Sequence, residues 1–117
     1  MAQLVRKMGK SAVQTYPLGD GTHRIGRTDK NEIQVADPSV SSHHAEIVAR
    51  PGPYLMGRNE YFIVDCDSRN GVIVNGDRKE RHRLKHGDRI RIGNQKFEFV
   101  DEREDSGDRT VIKKPDR

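Results

Sequence analysis

The chain has 117 residues, of which 32% are hydrophobic and 34% charged, with a formal net charge of +4 and a pI near 9.4. This length fits one domain. No apolar run approaches bilayer thickness and the amino end carries no secretion-like pattern, so a membrane role is not expected and a cytoplasmic location is. Cys66 is the only cysteine, which excludes an internal disulfide; its place in the apolar run YFIVDC reads as a small buried hydrophobe, not a reactive thiol.

In chain order the sequence predicts short strands at 3–8, 12–18, 22–27, 32–36, 43–49, 60–66, 72–75, 89–92 and 96–101. Ile90 and Ile92 alternate with Arg89 and Arg91, and Phe97 and Phe99 with Lys96 and Glu98. A period of two gives each strand one buried and one wet face. With no Trp and few other aromatics, the core is expected mainly from Ile, Val and Leu. Turns are expected at Gly19-Asp20-Gly21, His86-Gly87-Asp88 and Gly93-Asn94, and the strongest hairpin signal is Asn75-Gly76. The segment RPGPYLMGRN at 50–59 has two Pro, two Gly and no alternation, and reads as a loop. The whole is all-β, a sandwich or barrel. Residues 1–102 form the expected domain. The nearly all-polar stretch 103–117 cannot bury enough apolar surface to offset its ordering entropy, and reads as a tail or linker.

Three segments carry groups suited to a phosphate: HRIGR at 23–27, PSVSSHHAEI at 38–47 and DSRNGVIVNG at 67–76. Arg27 supplies a planar fork of donors that stays charged. Ser41 and Ser42 supply hydroxyls at the end of a loop opened by Asp37-Pro38. Asn70 supplies a carboxamide beside Gly71. Taken singly, these residues also read as a surface charge, a serine-containing turn and a turn Asn. No nucleophile elbow or Gly-Lys-Ser/Thr phosphate loop is present, so an enzyme is not expected. Adjacent His43 and His44 would face opposite ways on a strand, and neither a metal site nor a cofactor is expected.

Taken together, the order and spacing of the three segments resemble the forkhead-associated (FHA) domain family. The resemblance runs on through LKHGDRIRIGNQKFEF at 84–99 and covers roughly residues 3–101. It implies a two-sheet β-sandwich of short, mostly antiparallel strands with functional loops at one end. It further implies a phosphothreonine-dependent protein-binding module. In that reading Arg27 is the principal phosphate cation, Ser41 donates its hydroxyl to the phosphate, and Ser42 is a further polar contact. Asn70 holds the peptide main chain. Gly26, His44 and Gly71 are architectural, with His44 bracing the loop that presents Ser41. Two positions depart from the common family pattern. Val72 stands where Thr is frequent, and Arg69 stands where some relatives offer a hydroxyl; Arg69 reads as a second, more flexible cation at the rim or as a solvent-facing turn residue. Selectivity is expected from 28–31, Ser39 and 72–73. Expected partners are phosphothreonine proteins and, after phosphorylation, the chain's own tail at Thr110. A phosphate-independent interaction module of the same fold is the alternative. A nucleic-acid-binding β domain, suggested by the basic pI and the Arg-rich stretch 78–91, is disfavoured because aromatic stacking platforms are lacking.

Overall fold

The structure, a computed structural model, describes residues 2–52 and 59–101. The predicted tail at 103–117, with Thr110, and most of the predicted loop at 50–59 lie outside the described residues. Among the described residues there are eleven strands and no helix, hence none long and apolar enough to cross a membrane. The strands are β1 (Ala2–Met8), β2 (Ser11–Pro17), β3 (Gly21–Gly26), β4 (Ile33–Gln34), β5 (Ala45–Pro51), β6 (Asn59–Asp65), β7 (Val72–Val74), β8 (Asp77–Lys79), β9 (Arg81–Arg83), β10 (Arg89–Ile92) and β11 (Gln95–Asp101).

They form two facing sheets, β2-β1-β11-β10-β7-β8 and β4-β3-β5-β6-β9. All pairings are antiparallel except β3 with β4. The alternation read from the sequence sets the faces: Ile90, Ile92, Phe97 and Phe99 point into the core while Arg89, Arg91 and Lys96 point out. The core between the sheets is one cluster, including Leu4, Ile25, Val35, Ile47, Ile63, Val72 and Val74. Aromatics contribute more to it than composition suggests. Phe97, Phe99, Tyr61 and Tyr16 are all buried, and the Tyr61 hydroxyl donates to the Leu18 carbonyl at 3.1 Å. Asn75 and Gly76 both take positive φ (51° and 91°) in the two-residue turn joining β7 to β8, as that hairpin requires.

Several expectations need correction. β8 and β9 were not predicted. Both are three-residue strands made mostly of charged residues, each at a sheet edge, so no apolar alternation marks them. β4 keeps two residues of the five expected, because the chain leaves β3 at Gln34. Pro51 pairs with Asn59, so the ends of the predicted loop at 50–59 belong to β5 and β6. Phe62 is not a core residue. It faces outward, with the guanidinium carbons of Arg81 and Arg50 at 4.3 and 5.0 Å from its ring centroid. A cation over an aromatic face shields that ring and adds roughly 0.5–1 kcal/mol at an exposed site.

The outer face of the six-stranded sheet carries a row of like charges. Lys7 lies opposite Lys96, and Lys96 opposite Arg91. Among the described residues Glu98 relieves it, at 3.6 Å from Lys7. Opposed like charges destabilise a sheet. Lys96→Glu, which sets an acid between two bases, is expected to raise stability by roughly 0.5–1 kcal/mol, read as a higher urea midpoint at low salt with the gain shrinking as salt is added.

Candidate functional site

Three connections meet at one end of the sandwich: 27–32 after β3, 35–44 between β4 and β5, and 66–71 between β6 and β7. Their approach begins at Gly26. A Cβ there would collide with the Ser42 carbonyl oxygen and the Asn31 side chain. Glycine therefore lets the first two connections lie against each other, and the Arg27 N–H donates to the Ser41 carbonyl at 3.0 Å. Asn31 is buried, and its carboxamide nitrogen donates to the Ser42 carbonyl at 2.8 Å and the Thr28 carbonyl at 3.0 Å. It is thus a brace and not the variable rim residue expected within 28–31.

The Arg27 guanidinium is held by Nη1 donating to the Val40 carbonyl at 3.1 Å and Nη2 donating to Ser42 Oγ at 3.0 Å. Two of its five N–H donors are used this way, and three remain. Among the described residues no carboxylate pairs with it. Ser41 Oγ accepts the Arg69 N–H at 3.1 Å, which leaves the hydroxyl proton free to be donated outward. Arg27, Ser41, Ser42 and Arg69 line one shallow hollow of about 390 Å³, together with Ser39 and Asp67. The Arg69 guanidinium has no partner among the described residues.

Two struts position these groups. His44 is fully buried. Its Nδ1 accepts the Ser41 N–H at 3.0 Å and its Nε2 donates to the Gly71 carbonyl at 2.8 Å. One imidazole thus ties the Ser41 loop to the Asn70 loop. Ser68, also buried, donates its hydroxyl to Asp65 Oδ1 at 2.5 Å and accepts the Gly71 N–H at 2.9 Å. Gly71 takes φ +77°, and a Cβ there would lie 2.5 Å from Arg78 Nε. A second network crosses between the sheets. Asp37 Oδ1 accepts from the Ser39 N–H and hydroxyl at 2.8 and 2.5 Å, Ser39 Oγ accepts the Asn94 N–H at 2.8 Å, and Gln95 Nε2 donates to Asp37 Oδ2 at 2.7 Å. The Ser39 hydroxyl, followed by its N–H and by Gln95, holds the Asp37 carboxyl below its usual range.

The expected residues are therefore brought together, with three refinements. Asn70 does not line the hollow but is tied to it, spending one N–H on the Ser39 carbonyl at 2.8 Å, and its carboxamide oxygen and other N–H have no partner among the described residues. Val72 is buried in β7, which removes it from the rim and with it the expected selectivity role. Cys66 is half-buried at the end of β6 and outside the core, with Sγ 3.7 Å from His43 Nε2. Burial first, then the charges of Glu46 and Asp65, push its thiol up to about 11, so it is a poor nucleophile at neutral pH. Sequence reasoning missed Asn31, Asp37, Ser68, Gln95 and the rim acid Asp67. Asp37-Pro38-Ser39 does carry a legible signal, since an Asp bonding the N–H two residues on is a common turn; Gln95 carries none.

A family model of the FHA domain matches residues 23–93, and the chain belongs to that family. It is similar to the oxoglutarate dehydrogenase inhibitor of Corynebacterium jeikeium, at 33% identity over 99 residues that cover 85% of this chain and 64% of the relative. The chain thus spans less than two thirds of that relative's length. Among solved structures it resembles Mycobacterium tuberculosis EmbR in complex with a low affinity phosphopeptide (TM-score 0.69, 37% identity, 85% of this chain and 24% of that one). It also resembles a structure from a structural and functional analysis of phosphothreonine-dependent FHA domain interactions (TM-score 0.72, 28% identity, 86% and 95%).

Gly26→Ala is expected to cost roughly 2–3 kcal/mol of stability through overpacking against Ser42 and Asn31, read by urea denaturation. Beside it, Arg24 grips Glu32 through Nε and the backbone N–H to Oε1 at 3.0 and 2.8 Å and through Nη2 to Oε2 at 2.8 Å. The guanidinium hydrogen bonds, then the N–H, hold the Glu32 carboxyl at about 2, below its ordinary 4.5. A carboxyl depressed in the folded state stabilises above its unfolded pKa and loses that contribution as pH falls through the folded value. Glu32→Gln should therefore show a shallower fall of Tm than the unaltered chain between pH 4.5 and pH 2, and no difference in slope above pH 5.

Proposed function

We propose that this chain is a phosphothreonine-dependent protein-binding module in which Arg27 is the principal phosphate cation. The observation that carries the reading is the Arg27 guanidinium, which lacks a carboxylate partner among the described residues and shares one hollow with Ser41, Ser42 and Arg69. A phosphothreonine brings about −1.5 to −2 charge and three acceptor oxygens. Three free N–H groups on Arg27, the Ser41 hydroxyl proton and the rim cation Arg69 match that demand. Asn70, anchored to Ser39, holds the main chain of the bound segment. Similar FHA structures, one from a study of phosphothreonine-dependent FHA domain interactions and one holding a low affinity phosphopeptide, support the same chemistry. Burial of the threonine methyl adds only about 1 kcal/mol over serine.

The chain acts by binding and not by catalysis, with phosphoproteins as partners and the cytoplasm as its place of action. Its own Thr110, once phosphorylated, offers the same chemistry to the site. Asp67 on the rim favours a segment that carries a base beside the phosphate and disfavours one rich in acids there.

A phosphothreonine peptide selected from an oriented library, titrated by calorimetry, tests the reading. Arg27→Ala is expected to weaken binding about 30-fold to 1,000-fold, the equivalent of roughly 2–4 kcal/mol. Ser41→Ala is expected to weaken it about 10-fold. Arg27→Ala should leave Tm within a few degrees, since it removes only two hydrogen bonds at an exposed position. Equal binding of the unphosphorylated peptide, or an unchanged affinity of Arg27→Ala, would refute the assignment.

A further inference from the structure

Beside the hollow, on the five-stranded sheet, lies a second cluster that the phosphopeptide reading does not use. His43 precedes β5, Glu46 is on β5, and Cys66 follows β6. Their donor atoms lie within 4.8 Å of one another. His43 sits exposed in the turn before β5, next to buried His44, with its ring set against the other two side chains. His43 Nε2 is 3.2 Å from Glu46 Oε2 and 3.7 Å from Cys66 Sγ. We propose that His43, Glu46 and Cys66 bind a divalent transition-metal ion of the Zn²⁺ class, which clips the two recognition loops together at their roots.

The two edges that meet at His43 have the lengths of edges of a coordination tetrahedron. Zn–N and Zn–O bonds of about 2.0–2.2 Å and a Zn–S bond of about 2.3 Å place tetrahedral N···O and N···S edges at roughly 3.3–3.5 and 3.6 Å. The observed separations differ from those edges by about 0.1–0.3 Å. An imidazole, a thiolate and one carboxylate select Zn²⁺ over Mg²⁺ or Ca²⁺, which demand mostly oxygen ligands. Glu46 is available for the task, because the nearby cation Arg24 is already held by both carboxylate oxygens of Glu32. His43 is exposed, so an ion can enter from solvent, and the fourth position is left to water. Binding releases the Cys66 proton to solvent and takes His43 as the neutral imidazole.

The location gives the site a consequence. His43 directly follows Ser41 and Ser42, and Cys66 directly precedes the segment that carries Ser68, Arg69 and Asn70. The backbones already touch here, where the Cys66 N–H donates to the His44 carbonyl at 2.9 Å. A metal at this joint adds a second tie, on the solvent side, parallel to the buried His44 strut.

Titration of the chelator-treated chain with Zn²⁺ under a non-thiol reductant tests the proposal without any phosphopeptide. One Zn²⁺ per chain is expected, with a rise in Tm and shifts of the Ser41 and Asn70 amide resonances. Co²⁺ in its place should give a thiolate-to-metal absorption band. Cys66→Ser should abolish that band, and Cys66→Ser and His43→Ala should each weaken Zn²⁺ binding by about 10-fold or more, while His23→Ala changes nothing. The Zn²⁺-dependent change in Tm is read within each variant, so a lower starting stability does not obscure it. No Zn²⁺ binding, binding unaltered by His43→Ala and Cys66→Ser, or one ion shared between two chains would overturn the proposal.

Discussion

The recognition end of this protein depends on one buried imidazole. His44 accepts a hydrogen bond at one nitrogen and donates one at the other, which only the neutral form protonated at Nε2 can do. Its two partners are backbone groups on different connections, Ser41 and Gly71. Among the described residues neither group has another partner, and a buried polar group left unpaired costs roughly 1–3 kcal/mol. Both connections are therefore held to one separation, and the side chains they carry inherit it. The Ser41 hydroxyl sits over the Arg69 N–H, and Asn70 reaches back to Ser39.

Around that link the site is built mostly from neutral groups. Arg27 rests on a carbonyl and a hydroxyl, and its charge is not cancelled at short range. Two carboxylates of the neighbouring connections are engaged elsewhere: Asp37 accepts from Ser39 and Gln95, and Glu32 from Arg24. On the lining of the hollow, Arg27 and Arg69 are the cations and Asp67 is the one acid. The Ser39 and Asn94 contact fastens the same loop to the opposite sheet, where a Cβ on Gly93 would stand 2.5 Å from Ser39. The loops are thus fixed against both layers of the sandwich.

Much of this was legible in the chain. Alternation in 89–92 and 96–101 gave the buried faces correctly, because a period of two is a direct image of the pleat. Asn75-Gly76 named its own turn. Arg27, Ser41, Ser42, Arg69 and Asn70 were drawn to one end by family resemblance, since nothing in local spacing says that residues so far apart in sequence will meet. What escaped was of two kinds. Edge strands β8 and β9 are short and charged, and are defined by their neighbours alone. The braces Asn31, Ser68 and Gln95 are polar residues whose burial follows from tertiary packing, to which a pattern of hydrophobicity is blind. Phe62 shows the same blindness in reverse, being an apolar residue on an outer face under two arginines.

The pairing of β1 with β11 bears on how the molecule comes into being. Leu4 sits opposite Phe99, so the six-stranded layer joins the first strand to the last. On a ribosome β1 can pair with β2 at once, but its other edge must wait until β11 has been synthesised. The other layer needs only β3, β4, β5, β6 and β9, all of which emerge earlier. Contacts of such long sequence separation form slowly, so the closing of β1 onto β11 is the natural last act of folding, after the recognition loops already have one of their two supports.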